Sequence, residues 1–119
     1  DSGLSVTLAR AVGWSKAMSL LMLGGVVDSD EALRIGLVSA VAPAEEFEAR
    51  LDELAGKLAA GPTRALAALK EAVWKSASAD LDSVLALEGD LQQRLAATAD
   101  HRQAVEAFLE KRRPEFTGT

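Results

Sequence analysis

Apolar residues recur along this chain at helical spacing, and the pattern is cleanest in the second half. Leu4, Val6, Leu8, Ala9 and Val12 predict a short helix ending at Gly13. The next run, Ser15 to Leu23, is helical in length and apolar nearly all round, so it is expected to be buried on most sides. Gly24-Gly25 ends it, since glycine past a helix end satisfies the left-handed cap. Val26-Val27 reads as a brief extended piece. Asp28 followed by Glu31 has the form of a reciprocal capping box opening a helix from Ser29 to Ile35, which stops at Gly36. Leu37-Val38-Ser39-Ala40-Val41, β-branched in part and followed by Pro43, predicts a short extended element.

From there on every signal is helical. Phe47, Leu51, Leu54 and Leu58 make one apolar stripe, broken by Gly61-Pro62. Proline suits a first helical turn, and the next stripe is Leu66, Leu69 and Val73, with Trp74 beside it. Asp80 caps a helix whose stripe is Leu81, Val84, Leu87, Leu91 and Leu95. Asp100 opens the last one, with Val105, Phe108 and Leu109 as its apolar positions. The stripes are narrow and the helices long for the core on offer, so some apolar faces are expected to need a partner subunit or a further domain. No fixed-period repeat is present.

The last helix carries the most informative residues. Lys111, Arg112 and Arg113 close it, Pro114 stops it, and cations in a last turn offset the negative end of the helix dipole. Phe108 and Lys111 are three apart and share a helix face, which can hold a flat ring beside an anion, as a nucleotide-bearing group presents. A plain, well-terminated surface helix is the alternative reading.

Composition narrows the function classes. The 119 residues suffice for one domain with a core, and 49% hydrophobic with 26% charged residues is a soluble globular composition. Cysteine is absent, which removes disulfides and thiol catalysis and fits a reducing, cytoplasmic compartment. The net charge of −5 argues against nucleic acid as a partner. The apolar stretch from Ala17 to Val27 is too short to cross a bilayer, so no membrane association is expected.

Candidate chemistry is sparse. His101 is the sole histidine, so neither a metal site nor a Ser/His/Asp triad is expected, and it reads as a solvated surface residue. Glycines have no phosphate-loop spacing. Glu45, Glu46 and Glu48 suit a first helical turn, and Glu88 and Asp90 read as rim carboxylates. Asp1 differs: it stands in a Ser-Gly loop leading into an apolar helical region, where a carboxylate can be desolvated and act as a base or nucleophile. Turn formation is the plainer role for it. The chain opens with Asp1 rather than methionine, and a truncated or processed piece of a longer protein is expected.

Taken in order, the blocks Asp1 to Gly13, Ala17 to Gly24, Asp28 to Val38, Ala60-Gly-Pro-Thr63, Lys70 and Phe108-Leu-Glu-Lys-Arg112 resemble the enoyl-CoA hydratase/isomerase, or crotonase, superfamily from the first residue to the last. The Glu31-Ala32-x-x-x-Gly36-Leu37-Val38 segment and Phe108-Leu-Glu-Lys-Arg112 carry most of the likeness. The resemblance implies a mainly α chain: the C-terminal part of a crotonase-like α/β fold, made of a helical trimerisation region with one short extended element. Residues 1–42 would end the core, and 43–119 would form the helical oligomerisation region.

The resemblance further implies an enzyme that stabilises a thioester enolate in an oxyanion hole. Coenzyme A would enter as part of an acyl-CoA substrate, with no separate cofactor and no metal. In typical hydratases both catalytic glutamates would lie upstream, and the position of Asp1 is glycine. In isomerases resembling the phenylacetate-pathway enzyme it is aspartate, and a related dehalogenase uses an aspartate there as nucleophile. The departure from glycine favours isomerase-type proton transfer by Asp1 over hydration. Phe108 and Lys111 match the CoA-contacting residues that a neighbouring subunit contributes in a homo-trimer or hexamer, although Phe108 fits a core or interface role as well. The isolated chain would be inactive. The competing reading is a non-catalytic helical oligomerisation module.

Overall fold

The computed structural model describes residues 3–119, and these hold seven helices and no strand. In chain order they are α1 (Leu4–Val12), α2 (Trp14–Leu23), α3 (Ser29–Arg34), α4 (Phe47–Ala59), α5 (Thr63–Ser76), α6 (Leu81–Ala96) and α7 (Ala99–Leu109). The chain forms two compact units, one ending at Phe47 and the other running from Glu48 to Thr119.

In the first unit α1 and α2 pack on each other through a break at Gly13, and Leu8 and Ala17 are the residues they bury. The expectation that α2 is buried on most sides is corrected. Only Ala17 is buried; Trp14 is 76% exposed, and Met18, Leu21, Met22 and Leu23 are exposed as well. One small residue makes the close approach to a neighbouring helix, and the unit has no further layer to cover the rest. Gly24 ends α2 at φ 67°, as the sequence predicts.

No strand forms at 37–41, where the chain bends instead, and Val26-Val27 lies in the link between α2 and α3. The amides of Leu37 and Val38 both donate to the Ala32 carbonyl, and Gly36 at φ 73° donates to Leu33. The first residues of the expected strand are thus consumed in closing α3. A strand also needs a second edge to pair with, and none exists among the described residues.

The capping box at α3 is half made. Asp28 Oδ1 accepts the Glu31 amide at 2.8 Å. The Glu31 carboxylate does not reach back; it accepts from Lys16 of α2 and from Arg34 Nε and Nη2, at 2.6 and 2.7 Å for the arginine. Hydrogen bonding from Arg34, then from Lys16, pulls the Glu31 carboxyl down to about 2 from an ordinary 4.5. A depressed carboxylate pKa stabilises the fold fully above its unfolded value, and that contribution is lost as pH falls through the folded one. Glu31→Gln is therefore expected to flatten the acid limb of stability between pH 4.5 and about 2. Urea melts across that window check this, and added salt should shrink the difference because the pairs are partly open to solvent.

In the second unit α6 is the central helix, packed against both α5 and α7. Most of its stripe is covered: Asp80 Oδ1 caps the helix by accepting the Ser83 amide at 2.9 Å, Leu91 is 7% exposed, and Val84, Leu87 and Leu95 are partly covered, whereas Leu81 in the first turn is exposed. On α5 the protected residues are Ala65, Leu66, Ala68 and Ala72, while Leu69, Val73 and Trp74 are exposed. Ala65, Ala68 and Ala72 line a groove with Leu91 and Glu88 of α6. Alanines let two helices come close; of the bulky stripe Leu66 is partly covered and Leu69 borders the same groove, while Val73 stays exposed. The α4 stripe of Phe47, Leu51, Leu54 and Leu58 forms as predicted and is also exposed.

Candidate functional site

The C-terminal helix and the residues after it build the site. Thr98, not Asp100, caps α7: its Oγ1 accepts the His101 amide at 3.1 Å. The covered face of α7 is Asp100, Gln103, Ala104 and Ala107, spaced three, one and three apart on one side of the helix. Asp100 is 5% exposed and Ala107 fully buried. The apolar stripe expected there, Val105, Phe108 and Leu109, is the exposed one, and Phe108 is 81% accessible. Hydrophobicity alone points to the wrong face, because what covers α7 on its other side is partly backbone.

That backbone is the chain's own end. Residues after α7 turn back along the helix, and the Asp100 carboxylate receives them. Oδ1 accepts the Thr117 amide at 2.8 Å and its hydroxyl at 3.3 Å, and Oδ2 accepts the Gly118 amide at 3.0 Å. The Asp100 amide donates in turn to the Thr119 carbonyl at 3.0 Å. One turn along, Gln103 Oε1 accepts the Glu115 amide at 3.2 Å. Gly118 sits at φ 78°, a conformation that favours glycine, and a Cβ there would make a tight 3.0 Å contact with Thr63 Oγ1 at the start of α5. The Thr117 amide is the main cause holding the Asp100 carboxyl below the usual carboxylate range; burial opposes it, and Gly118, the Thr117 hydroxyl and Arg64 add to it. Phe116 lies over a cavity of about 290 Å³, shared with Pro62, Arg64 and His101. Sequence reading took Asp100 for a helix start and missed this role; the Asp-x-x-Gln spacing, two hydrogen-bonding side chains on one face, is the signal that was present.

The turn between α7 and this return segment holds the predicted pair. The helix ends at Leu109, so the three cations lie beyond it, and Pro114 is not what stops it. It closes with the Lys111 amide donating to Phe108 at 3.2 Å and the Arg112 amide to Ala107 at 3.0 Å, with Lys111 left-handed at φ 55°. This is the same double closure that ends α3, where Gly36 occupies the left-handed position. The helix-face argument for Phe108 and Lys111 is thereby corrected: Phe108 is on the helix and Lys111 is in the turn. They remain joined through the backbone hydrogen bond, at an exposed corner where Arg112 pairs with Glu110. A lysine kept where glycine is cheaper marks a position whose side chain earns attention.

Other candidates contribute less. Asp1 lies outside the described residues. Glu88 is exposed on the α5–α6 groove. Among the described residues no group of three His, Asp or Glu side chains can hold a metal ion, and no helix is long and apolar enough to cross a membrane.

The family described as enoyl-CoA hydratase/isomerase matches residues 1–119. A probable enoyl-CoA hydratase of Rhodobacter capsulatus is 42% identical over 118 residues, 99% of this chain and 46% of that protein. The 1,2-epoxyphenylacetyl-CoA isomerase of Escherichia coli is 36% identical over 118 residues, again 99% of this chain, and 45% of the relative. Among solved structures, an enoyl-CoA hydratase/isomerase from Mycobacterium abscessus superposes with a TM-score of 0.94 at 42% identity, covering 100% of this chain and 46% of that one. The chain thus spans a little under half the length of these relatives. The matches give that share; they do not support the expected placement at the C-terminal end of the crotonase-like fold. Matched along its whole length, the chain belongs to the enoyl-CoA hydratase/isomerase family.

Proposed function

We propose that this chain is part of an enzyme that acts on an enoyl-CoA thioester, shifting its double bond or adding water through an enolate held in an oxyanion hole. The family match from residue 1 to residue 119 carries the reading. Relatives named as hydratases and as isomerases support the substrate class and leave both reactions in view. Asp1 serves as the proton-transfer carboxylate. Phe108 and Lys111 meet the CoA moiety, the ring beside the adenine and the ammonium as a point charge to phosphate. The exposed Phe108 and the left-handed Lys111 suit a corner that a ligand completes.

The isolated chain is inactive in this reading. Asp100, the one buried carboxylate among the described residues, is held by the Thr117 and Gly118 amides, which keep its carboxyl below the usual range and make it a poor base. The large apolar residues facing outward on α4, α5 and α7 favour an oligomer, a homo-trimer or hexamer of the full-length protein. A purely structural oligomerisation module draws on the same faces but leaves the lysine at φ 55° without a purpose.

The test is Lys111→Ala in the full-length protein. The KM for an enoyl-CoA is expected to rise about tenfold, equivalent to about 1.4 kcal/mol, with kcat little changed, the pattern of lost uniform binding. An unchanged KM removes Lys111 from the CoA site.

A further inference from the structure

Asp100 lies at the far end of α7 from Lys111, yet the backbone ties the two together. The eleven residues of α7 cover about 16 Å. The return from Lys111 to Thr117 takes six Cα steps, which reach at most about 21 Å when fully extended. Once Thr117 and Gly118 are held on the Asp100 carboxylate, and Glu115 on Gln103, only a few ångströms of slack remain. The other end of the same segment is Lys111, in a left-handed conformation that a side-chain-bearing residue leaves readily unless its surroundings enforce it. The two hydrogen bonds of the helix closure supply one restraint, and the latched return segment supplies the second.

We propose that Asp100 is a positioning residue for Lys111: by latching the C-terminal segment it keeps that segment taut and holds the left-handed turn that presents the lysine. The inference rests on the proposed contact between Lys111 and CoA. Several observations agree with a built latch. The carboxylate is buried, and both of its oxygens accept hydrogen bonds from this segment. Gly118 provides the positive φ and the close approach to Thr63 that let the chain end dock. Phe116, between the two anchors, covers the cavity beside His101 and Arg64.

The test uses the full-length protein and an enoyl-CoA substrate. Asp100→Ala is expected to raise KM at least fivefold with kcat within twofold, and Lys111→Ala added to it should raise KM further by much less than it does alone. Asp100→Asn keeps one acceptor for the Thr117 amide and should give an intermediate KM. Amide exchange at Thr117 and Gly118 should accelerate in both. A merely structural role would lower the folded fraction and leave KM alone. If Asp100→Ala does not fold, Gly118→Ala decides: it loosens the same latch at the chain end and should shift KM in the same direction. An unchanged KM in these variants while exchange reports a freed segment overturns the proposal, and so does unaltered exchange in Asp100→Ala. The two readings separate cleanly. A Lys111→Ala effect without an Asp100 or Gly118 effect sinks the latch alone, whereas no Lys111→Ala effect sinks the CoA contact beneath it.

Discussion

Asp1→Asn in the full-length protein is expected to lower the rate of double-bond isomerisation by about 10²–10⁴-fold while leaving CoA-thioester binding near its original strength. The substitution keeps the shape of the side chain and removes its basicity. Its neighbourhood along the chain is apolar: two residues on, Gly3 at φ 84° turns the backbone into α1, whose first turn carries the exposed Leu4 and Val6. A carboxylate that an apolar surface shields from water becomes a stronger base. The family resemblance implies glycine at this position in typical hydratases and aspartate in one group of isomerases, which is why the substitution is informative. Stopped-time product analysis of wild type and variant, with binding followed separately, reads both quantities. A rate within a few-fold of wild type would assign Asp1 to turn formation instead.

The second large effect concerns stability. Leu91→Ala is expected to cost about 2–4 kcal/mol, measured as the shift of a urea or thermal transition of the 119-residue chain. Leu91 is the largest buried side chain of the second unit; its buried apolar companions are Ala68 and Ala107, which have nothing to swing into the space it leaves. Leu69→Ala is the informative contrast. Leu69 is 62% exposed at the edge of the α5–α6 groove, so its loss should change the isolated chain by no more than about 0.5 kcal/mol. If the full-length protein covers this face, as proposed, the same substitution should cost more than about 1 kcal/mol there. Equal small effects in both settings would mean that nothing covers this face.

Much of the fold is legible in the sequence because helix ends obey local chemistry. Gly24 and Gly36 end their helices in the left-handed conformation, Asp28 and Asp80 accept the amides three residues on, and Gly61-Pro62 separates α4 from α5. What the sequence hides is which side of a helix is covered. The stripes predict that some apolar faces need a partner surface without saying which: α6 covers most of its stripe, whereas α4, α7 and most of α5 leave theirs exposed, with α5 covered mainly at alanines and α7 partly by hydrogen-bonded backbone. A stripe reports that a face is meant to be covered without saying by which surface. The strand at 37–41 failed for another reason: β-branched residues favour extension, but the amides of Leu37 and Val38 are claimed by the Ala32 carbonyl.

The site divides in the same way. Phe108 and Lys111 are candidates from their order and spacing within the Phe108-Leu-Glu-Lys-Arg112 block, yet their common helix face assumes a continued helix that the left-handed lysine breaks. The partners of Asp100 lie seventeen and eighteen residues away, so the Asp-x-x-Gln spacing is the one local trace of its hydrogen bonds. Family resemblance supplied what periodicity could not, the chemistry of the substrate.

The central claim is that the protein containing this chain turns over an enoyl-CoA thioester. Incubating the full-length protein with a trans-2-enoyl-CoA, and following the olefinic protons by NMR, tests it most directly. The account predicts that the double bond migrates or is hydrated, and that the 119-residue chain alone leaves the substrate unchanged. No turnover by the full-length protein, together with no detectable CoA binding, would contradict it.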